Sequence, residues 1–304
     1  MAKLDNKNIS KHLGQVSQYK SEYDPKLLVR EPRSSNRKHL GIKQSNLPFV
    51  GCDVWNGYEV SALVNNGVPV CAVAKVIYPS DSKYIVESKS MKLYWNSFNM
   101  THMGDTFEEV YSKLENTAAN DLSEYLKTDV RVKVFPCGTD VSSVRYPYVE
   151  DNWIRLEQSS RISSDSYYIN VYSENPTLLE TKILNRDPYH TKYMSSLLKS
   201  NCRVTSQPDW GDVFITMSGK YLPEESELLS YIVSFRDECH FHEEICETIY
   251  SRLLDIFEPD ELSVACLYAR RGGWDINPIR ATHEHLIEDF FWEEDIPWVK
   301  TLRQ

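Results

Sequence analysis

The sequence has none of three signatures that would assign its class directly. Its seven cysteines form no CxxC pair, no GxGxxG motif occurs, and no apolar run approaches the length of a membrane span. The missing CxxC pairs speak against a disulfide framework and favour reduced thiols in a cytosolic protein. Without GxGxxG, a dinucleotide would not bind in the Rossmann manner.

Basic residues are fewer than acidic ones. Lysine and arginine number 34 against 44 aspartates and glutamates, which gives a formal net charge of −10. An acidic surface repels phosphate backbones, so direct binding to nucleic acid is disfavoured. Met1–Asn6 lacks the apolar segment of a secretory signal. We therefore expect a cytoplasmic protein with no nucleic-acid or membrane partner.

The first half of the chain is predicted to begin with strands. Residues 1–48 are polar and are expected to form a solvated arm extended over the core. Alternating apolar residues predict strands at Tyr58–Val64 and Val68–Ile77, with a turn at Asn65–Gly67 between them. A third strand is expected over Tyr84–Tyr94.

A helix and a further strand follow. Thr106-Phe107-Glu108-Glu109 has the form of a capping box, which opens a helix. Val130–Val134 then alternates as a strand. The helix carries one apolar stripe with a residue at every fourth position, at Val110, Leu114, Ala118, Leu122 and Leu126.

The second half repeats this order of elements. Strands are predicted at Asp212–Met217 and Leu262–Tyr268, and a further one is possible at Tyr167–Tyr172. The pattern indicates an α+β fold with two antiparallel sheets in tandem, each with helices on one face. We place the domains at 49–150 and 151–304. The two helices between the strands are marked by Leu228, Leu229, Ile232 and Val233, and by Ile245, Ile249, Leu253 and Leu254.

The stretch from Ser200 to Trp210 combines a nucleophile with an acid. A thiolate at Cys202 would be a strong nucleophile, and Asp209 could deliver a proton to the atom that gains charge. Arg203 could favour the thiolate, and Trp210 could exclude water from Asp209. The other interpretation is a cysteine packed as a small hydrophobic residue.

Three other polar clusters each allow a functional and a structural interpretation. If Glu87–Tyr94 is a strand, it would bring a carboxylate, two hydroxyls and two ammonium groups close together, as a functional site requires. The structural interpretation is a solvated edge strand. Cys239, His240 and His242 are zinc-ligand types, but their spacing matches no common structural site, and a helix cap is the alternative. Arg270–Gly273 would suit a phosphate or form a basic turn.

Together these segments resemble the 7-cyano-7-deazaguanine reductases, the NADPH-dependent nitrile reductases of queuosine biosynthesis, in their two-domain form. The resemblance covers nearly the whole chain. Four motifs carry it: Leu47-Pro48-Phe49 with Asp53-Val54-Trp55; Glu87-Ser88-Lys89-Ser90 through Phe98-Asn99; Leu198–Cys202 through Asp209-Trp210-Gly211; and Phe241-His242-Glu243 with Arg270–Pro278.

The resemblance implies a fold and a reaction. The fold would be the tunnelling fold, a sheet with two helices on one face, present twice and paired into a homodimer. The first half would then need a helix break near Asn116–Asn120. Cys202 would attack the nitrile carbon to form a covalent thioimide, and Asp209 would protonate the nitrogen. Hydride from NADPH would complete the reduction to a primary amine.

The resemblance also implies how the ligands are held. The small-molecule substrate, 7-cyano-7-deazaguanine, would be bound by Val86, Glu87, Ser88, His242 and Glu243, since carboxylates accept from its N–H groups. No metal is implied. The contacts to NADPH would come from Ser88, Lys89, Arg271 and Gly272.

Two other functions stay open at this point. One is a metal-dependent pterin- or purine-type hydrolase of the same superfamily, with Cys239, His240 and His242 as ligands. The other is a protein that binds a deazapurine without catalysis, although binding alone would need neither Cys202 nor Asp209.

Overall fold

A computed structural model describes residues 22–139, 153–159, 162, 167–186, 190–203, 206–287, 297 and 304. Its helices are α1 (Ser34–His39), α2 (Ser88–Asn96), α3 (Phe107–Leu126), α4 (Glu225–Val233) and α5 (His242–Phe257). The strands are β1 (Arg30–Pro32), β2 (Val50–Val60), β3 (Leu63–Val64), β4 (Ala72–Pro79), β5 (Tyr84–Val86), β6 (His102–Gly104), β7 (Arg131–Pro136), β8 (Ile154–Arg155), β9 (Lys182–Leu184), β10 (Thr191–Asn201), β11 (Pro208–Ser218), β12 (Tyr221–Pro223), β13 (Glu261–Tyr268) and β14 (Trp274–Ala281).

The strands of both halves join in one large sheet. Its order is β7-β4-β2-β14-β13-β11-β10-β8, and every pairing in it is antiparallel except that of β8 with β10. The halves meet where β2 pairs with β14, from Gly57 opposite Trp274 to Val50 opposite Ala281. The structure is thus a mixed α+β fold, rich in antiparallel sheet, with the two halves fused along this pairing.

The helices cover one face of this sheet. Trp55 and Val76 pack with α2 and α3 in one core, and Val213 and Val264 pack with α4 and α5 in a second. A third, smaller cluster on the opposite face includes Cys52, Val54, Phe214 and Ile279. Helices on one face agree with the prediction from the sequence.

Each half contains a short helix capped by a buried glutamate. Glu87 accepts from the amides of Lys89 and Ser90 at 3.1 and 2.8 Å, and so begins α2. Glu224 caps α4 in the same way through the second and third residues after it. These matching caps support an internal repeat, since the two nine-residue helices occupy the same place in the order of elements.

Several predictions for the elements were wrong. The third strand ends at Val86, and residues 88–96 are helical, because Glu87 caps this segment and its apolar residues face the core. The predicted break at Asn116–Asn120 is absent from the continuous α3, because α2 is the other helix of this half. Tyr167–Tyr172 is not a strand. The stripe on α3 is buried as predicted, and the Thr106 hydroxyl caps the helix by accepting from the Glu109 amide.

The described part of the arm, residues 22–48, is held by buried charges and is not a solvated extension. Arg33 and Arg37 are 3% and 1% exposed. Arg33 forms a salt bridge with Asp53 on β2, and Arg37 lies 2.7 Å from a carboxylate oxygen of Glu247 on α5. The described arm lies on the core as expected, but its basic residues are not solvated as expected, because the partners of these arginines are distant in sequence. Residues 1–21 and the predicted domain boundary at 150 lie outside the described residues.

One further observation concerns membranes. Among the helices in the described ranges, none is both long and apolar enough to cross a bilayer.

Candidate active site

The residues predicted to carry chemistry converge on one cavity between the two halves. The cavity has a volume of about 190 Å³. Its walls come from the start of α2, the β10–β11 hairpin, the start of α5 and the turn before β14. It is lined by Glu87, Ser88, Lys89, Lys92, Cys202, Gln207, Asp209, His242, Ala269, Arg271, Trp274 and Ile276.

The N-terminus of α2 supplies the wall from the first half. Glu87 is 2% exposed, and its two carboxylate oxygens accept from the amides of Lys89 and Ser90. A carboxylate in this position is favoured by the partial positive charge of the helix end. Because α2 begins at Ser88, the helix fixes Glu87, Ser88 and Lys89 together at the rim of the cavity.

The hairpin between β10 and β11 presents the thiol. The Cys202 amide donates to the Gln207 carbonyl at 2.8 Å, and the Ser206 amide donates to the Cys202 carbonyl at 2.9 Å. Ser206 has a positive φ of 54°. The Asn201 amide also donates to the Glu238 carbonyl at 2.7 Å. Cys202 directly follows the end of β10, is partly exposed and lines the cavity.

Asp209 lies on β11, where its carboxyl group is close to Arg271 and His242. It is 2% exposed and forms a salt bridge with Arg271, which also donates to the Gln207 side chain. Nε2 of His242 lies 3.9 Å from Oδ1 of Asp209. The resemblance implied that Arg271 contacts the cofactor. In the structure Arg271 pairs with Asp209, the residue expected to donate the proton.

Two neighbouring side chains do not play the parts expected for them. Trp210 is 37% exposed, and the Arg236 guanidinium lies over its ring at 5.2 Å. Strand alternation turns it to the face opposite Asp209, so it does not exclude water from the carboxyl group. Arg203 lies 3.2 Å from Glu244 and over the Phe241 ring, and is therefore paired with other groups than the thiol.

His242 is held as a neutral imidazole. Its ring stands edge-on to Tyr268, with the ring centroids 4.0 Å apart. Burial lowers the pKa of His242 to about 4, and the effect of Asp209 in the opposite direction is smaller. A neutral imidazole can both donate and accept a hydrogen bond, so His242 can orient a polar ligand in the cavity without carrying charge.

Glu243 lies behind the cavity wall with an unmet hydrogen-bonding capacity. Burial, reinforced by Asp53, raises the pKa of Glu243 to about 8. Its Oε1 is buried with no hydrogen-bond partner among the described residues. Such an oxygen can accept from a ligand donor at little further desolvation. Val86 and Gly272 likewise adjoin lining residues without lining the cavity themselves.

Lys92 is the main functional candidate that the sequence analysis did not assign. Its side chain lines the cavity, and burial followed by Arg271 lowers its pKa. A Cβ at Gly272 would meet the Lys92 side chain at 3.2 Å, so the glycine-rich turn packs directly on the lysine stem. Recognition of α2 as a helix would have shown Lys92 one turn after Ser88, on the same side. Gln207, Ala269, Trp274 and Ile276 were also not assigned.

The three zinc-ligand candidates do not converge. His240 lies 3.1 Å from Glu238 and 3.3 Å from Glu244, while His242 points toward Asp209. Burial opposes protonation of His240, but the two glutamates outweigh it and raise the pKa to about 9. Within the described ranges, no group of three His, Cys, Asp or Glu side chains could hold a metal ion.

Comparison with known proteins places this chain in a family. Residues 19–134 match the family described as nitrile reductase, 7-cyano-7-deazaguanine-reductase N-term, and residues 208–286 match the family described as QueF-like protein. The NADPH-dependent 7-cyano-7-deazaguanine reductase of Colwellia psychrerythraea is 40% identical over 294 residues, which is 96% of this chain and 95% of that protein. The chain belongs to the 7-cyano-7-deazaguanine reductase family.

The crystal structure of the archaeosine synthase QueF-Like in the apo form is a more distant match. It is 14% identical with a TM-score of 0.30, and the match covers 32% of this chain and 95% of that one. The assignment to the 7-cyano-7-deazaguanine reductase family, made above from four motifs, is therefore confirmed by the sequence relatives alone. Both family matches include cavity residues, Glu87 in the first and Asp209 in the second.

Proposed function

We propose that this chain catalyses the NADPH-dependent reduction of the nitrile of 7-cyano-7-deazaguanine to the primary amine of 7-aminomethyl-7-deazaguanine, in queuosine biosynthesis. The family and its NADPH-dependent relative support the activity. One observation supports the proposed roles of these residues. Cys202 and Asp209 from the second half line the same cavity as Glu87 from the first half.

Cys202 and Asp209 perform the first chemical step in this proposal. The Cys202 thiol gives its proton to the Asp209 carboxylate as the sulfur bonds to the nitrile carbon; one π bond of the triple bond breaks, and Asp209 delivers that proton to the nitrogen. The sum is addition of an S–H group across the triple bond, which gives a covalent thioimide. Arg271 holds the Asp209 carboxyl group, and the hairpin hydrogen bonds hold Cys202. The resulting carbon accepts hydride more readily than a nitrile carbon does.

Two buried glutamates, Glu87 in the cavity wall and Glu243 behind it, suit the purine-like edge of the substrate. Its ring N–H and exocyclic amine are donors, and carboxyl oxygens accept from them. Glu87 presents a buried carboxylate at the rim, and Glu243 has a buried oxygen without a partner in the described structure. His242, Ser88 and Val86 would complete the substrate contacts, with the neutral imidazole of His242 serving as a donor or acceptor.

The cations of the cavity fit NADPH. Lys89, Lys92 and Arg271 line it together, and lysine and arginine offset phosphate charge. Ser88, Lys89, Arg271 and Gly272 would hold the cofactor, with Lys92 as an added contact. When bound, NADPH supplies the hydride for each of the two reductions from nitrile to amine. Gly272 has a positive φ of 56°, a backbone conformation that glycine adopts without strain.

We further propose two tunnelling-fold domains, 49–150 and 151–304, behind an arm at 1–48. The matching caps of α2 and α4 support the tandem repeat. A cytoplasmic homodimer that covers the outer edges of the sheet is proposed for the assembly, because exposed edges would otherwise pair non-specifically.

The test combines turnover with detection of the covalent adduct. Purified protein should consume NADPH when 7-cyano-7-deazaguanine is added, followed by the loss of NADPH absorbance. With the nitrile alone, intact-mass spectrometry should show one added substrate mass per chain. Cys202→Ala should lose both signals, while Cys239→Ala should keep them as a neighbouring thiol control. An adduct that persists in Cys202→Ala would refute the role of Cys202.

A further inference from the structure

Two exposed cysteines face each other at the end of two neighbouring strands. Cys71 directly precedes β4 and Cys137 directly follows β7. The register pairs Ala72 with Pro136, so the two cysteines are the next opposed pair, and the Cys137 amide donates to the Cys71 carbonyl at 2.9 Å. Their Sγ atoms lie 3.2 Å apart, and both residues are exposed.

This placement already meets the main geometric demand of a disulfide. Directly opposed residues of an antiparallel pair have Cα atoms about 4.5–5.5 Å apart, inside the range of about 4.4–6.8 Å that disulfides span. The sulfurs need only approach by about a further ångström, to about 2.05 Å. Because the two side chains are exposed at the strand ends, rotation about their side-chain bonds can bring this about without disturbing a core.

A second cysteine pair in the chain provides the contrast. Cys246 on α5 and Cys266 on β13 share a hydrogen bond, but both are fully buried. Dissolved oxidants reach exposed thiols and not buried ones. The two cysteine pairs therefore differ in how easily a dissolved oxidant reaches them. Of these two pairs, Cys71 and Cys137 are both close together and exposed.

We propose that Cys71 and Cys137 form a reversible disulfide, made by exchange with an oxidised low-molecular-weight thiol, which links β4 to β7. A thiolate of the pair attacks the small disulfide, forms a mixed disulfide and releases one small thiolate. The second cysteine then loses its proton, attacks the mixed disulfide and releases the other. Two protein thiols are oxidised, and one small disulfide is reduced to two thiols.

The Cys71–Cys137 disulfide should form at a pH-dependent rate and should stabilise the folded protein. Partial burial and the hydrogen bond with Cys71 raise the pKa of Cys137 to about 11, so the exchange should accelerate as the pH rises above neutral. The link would close a loop that contains α2 and α3, and with them the α2 N-terminus at the cavity rim. Closing a long loop restrains the unfolded chain, and we expect the melting temperature to rise by about 5–10 °C.

The test uses the full chain, reduced and then freed of reductant, with glutathione disulfide as the probe. In wild type, peptide mapping should find Cys71 joined to Cys137 with the loss of two hydrogens at that pair. The link should revert with excess reduced glutathione, and the oxidised protein should melt at the higher temperature. Cys137→Ser should stop at the glutathione adduct on Cys71, whereas Cys246→Ser should still form the link.

Two results would overturn the proposal. One is a wild-type protein in which Cys71 and Cys137 both remain open to alkylation by iodoacetamide after the treatment. The other is a wild type that stops at the mixed disulfide, since the second thiol would then not reach the first. Neither result depends on the reductase activity, because no step of the test uses the nitrile or NADPH.

Discussion

Replacing Glu87 with alanine should remove a helix cap and a substrate contact in one substitution. In the structure the carboxylate accepts from the amides of Lys89 and Ser90 at the start of α2. Loss of such a cap costs about 1 kcal/mol of folding stability. Loss of a buried carboxylate contact to the substrate costs on the order of 2 kcal/mol more in binding, which is about a 30-fold increase in Kd.

The chain contains a matched control for the cap. Glu224 is also buried, at 6% exposure, and accepts from the amides of Ser226 and Glu227 at 2.9 and 3.1 Å. It begins α4, a helix of the same length as α2, but it does not line the cavity. Glu224→Ala should therefore reproduce the loss of stability of Glu87→Ala without its loss of affinity.

The measurement is a titration of each variant with 7-cyano-7-deazaguanine, followed by quenching of tryptophan fluorescence, beside a melting curve. Trp274 lines the cavity and can report binding. Equal loss of affinity in both variants would show that Glu87 acts through the fold alone. Unchanged affinity in Glu87→Ala would mean that the first half serves only as scaffold for a site built by the second.

Three more substitutions test other parts of the site and fold. Asp209→Asn keeps the shape but cannot supply a proton, so turnover should fall by about 100-fold or more, and near-normal turnover would reject the role. Lys92→Met should raise the KM for NADPH about tenfold, while the exposed Lys113→Met should not. Glu247→Gln should destabilise the protein by about 3–5 kcal/mol, against about 1 kcal/mol or less for the half-buried control Glu115→Gln. Burial opposes ionisation of Glu247, but Arg280 and Arg37 outweigh it and lower the pKa of Glu247 to about 2. The contribution of this carboxylate to folding stability is therefore complete above pH 4.5 and is lost as the pH falls toward 2.

The elements that were predicted correctly are those with a local signal. The stripe of α3 recurs at every fourth residue, and the start of the helix is marked by Thr106. The segment 88–96 carried a helical signal too, since Met91, Tyr94, Trp95 and Phe98 follow the spacing of a buried helix face. The polar residues of the same segment also alternate as on a strand face, and that pattern predicted a strand. A glutamate cap is also a weaker sequence signal than a serine or threonine.

The residues that line the cavity could be predicted only in part, and their arrangement could not be predicted at all. Four motifs named Cys202 and Asp209 and the residues from both halves, yet nothing in them showed that Arg271 pairs with Asp209. Contacts of this kind join residues on different strands and turns, so they follow from the pairing of the sheet. The arm illustrates the same limit, since Arg37 reads as a solvated charge until its partner Glu247 is located on α5.

The buried charges at the junction explain why the two halves meet in one register. Arg280 on β14 lies 2.9 Å from Asp53 on β2 and 2.8 Å from Glu247 on α5. A slip of one residue between β2 and β14 would turn one of these side chains to the opposite face and leave a buried charge unpaired. Such a charge is far more costly than a misplaced apolar contact, so the network admits a single pairing. That pairing also sets Trp274 and Ile276 opposite β2, and so places the cavity between the α2 N-terminus and the thiol-bearing hairpin.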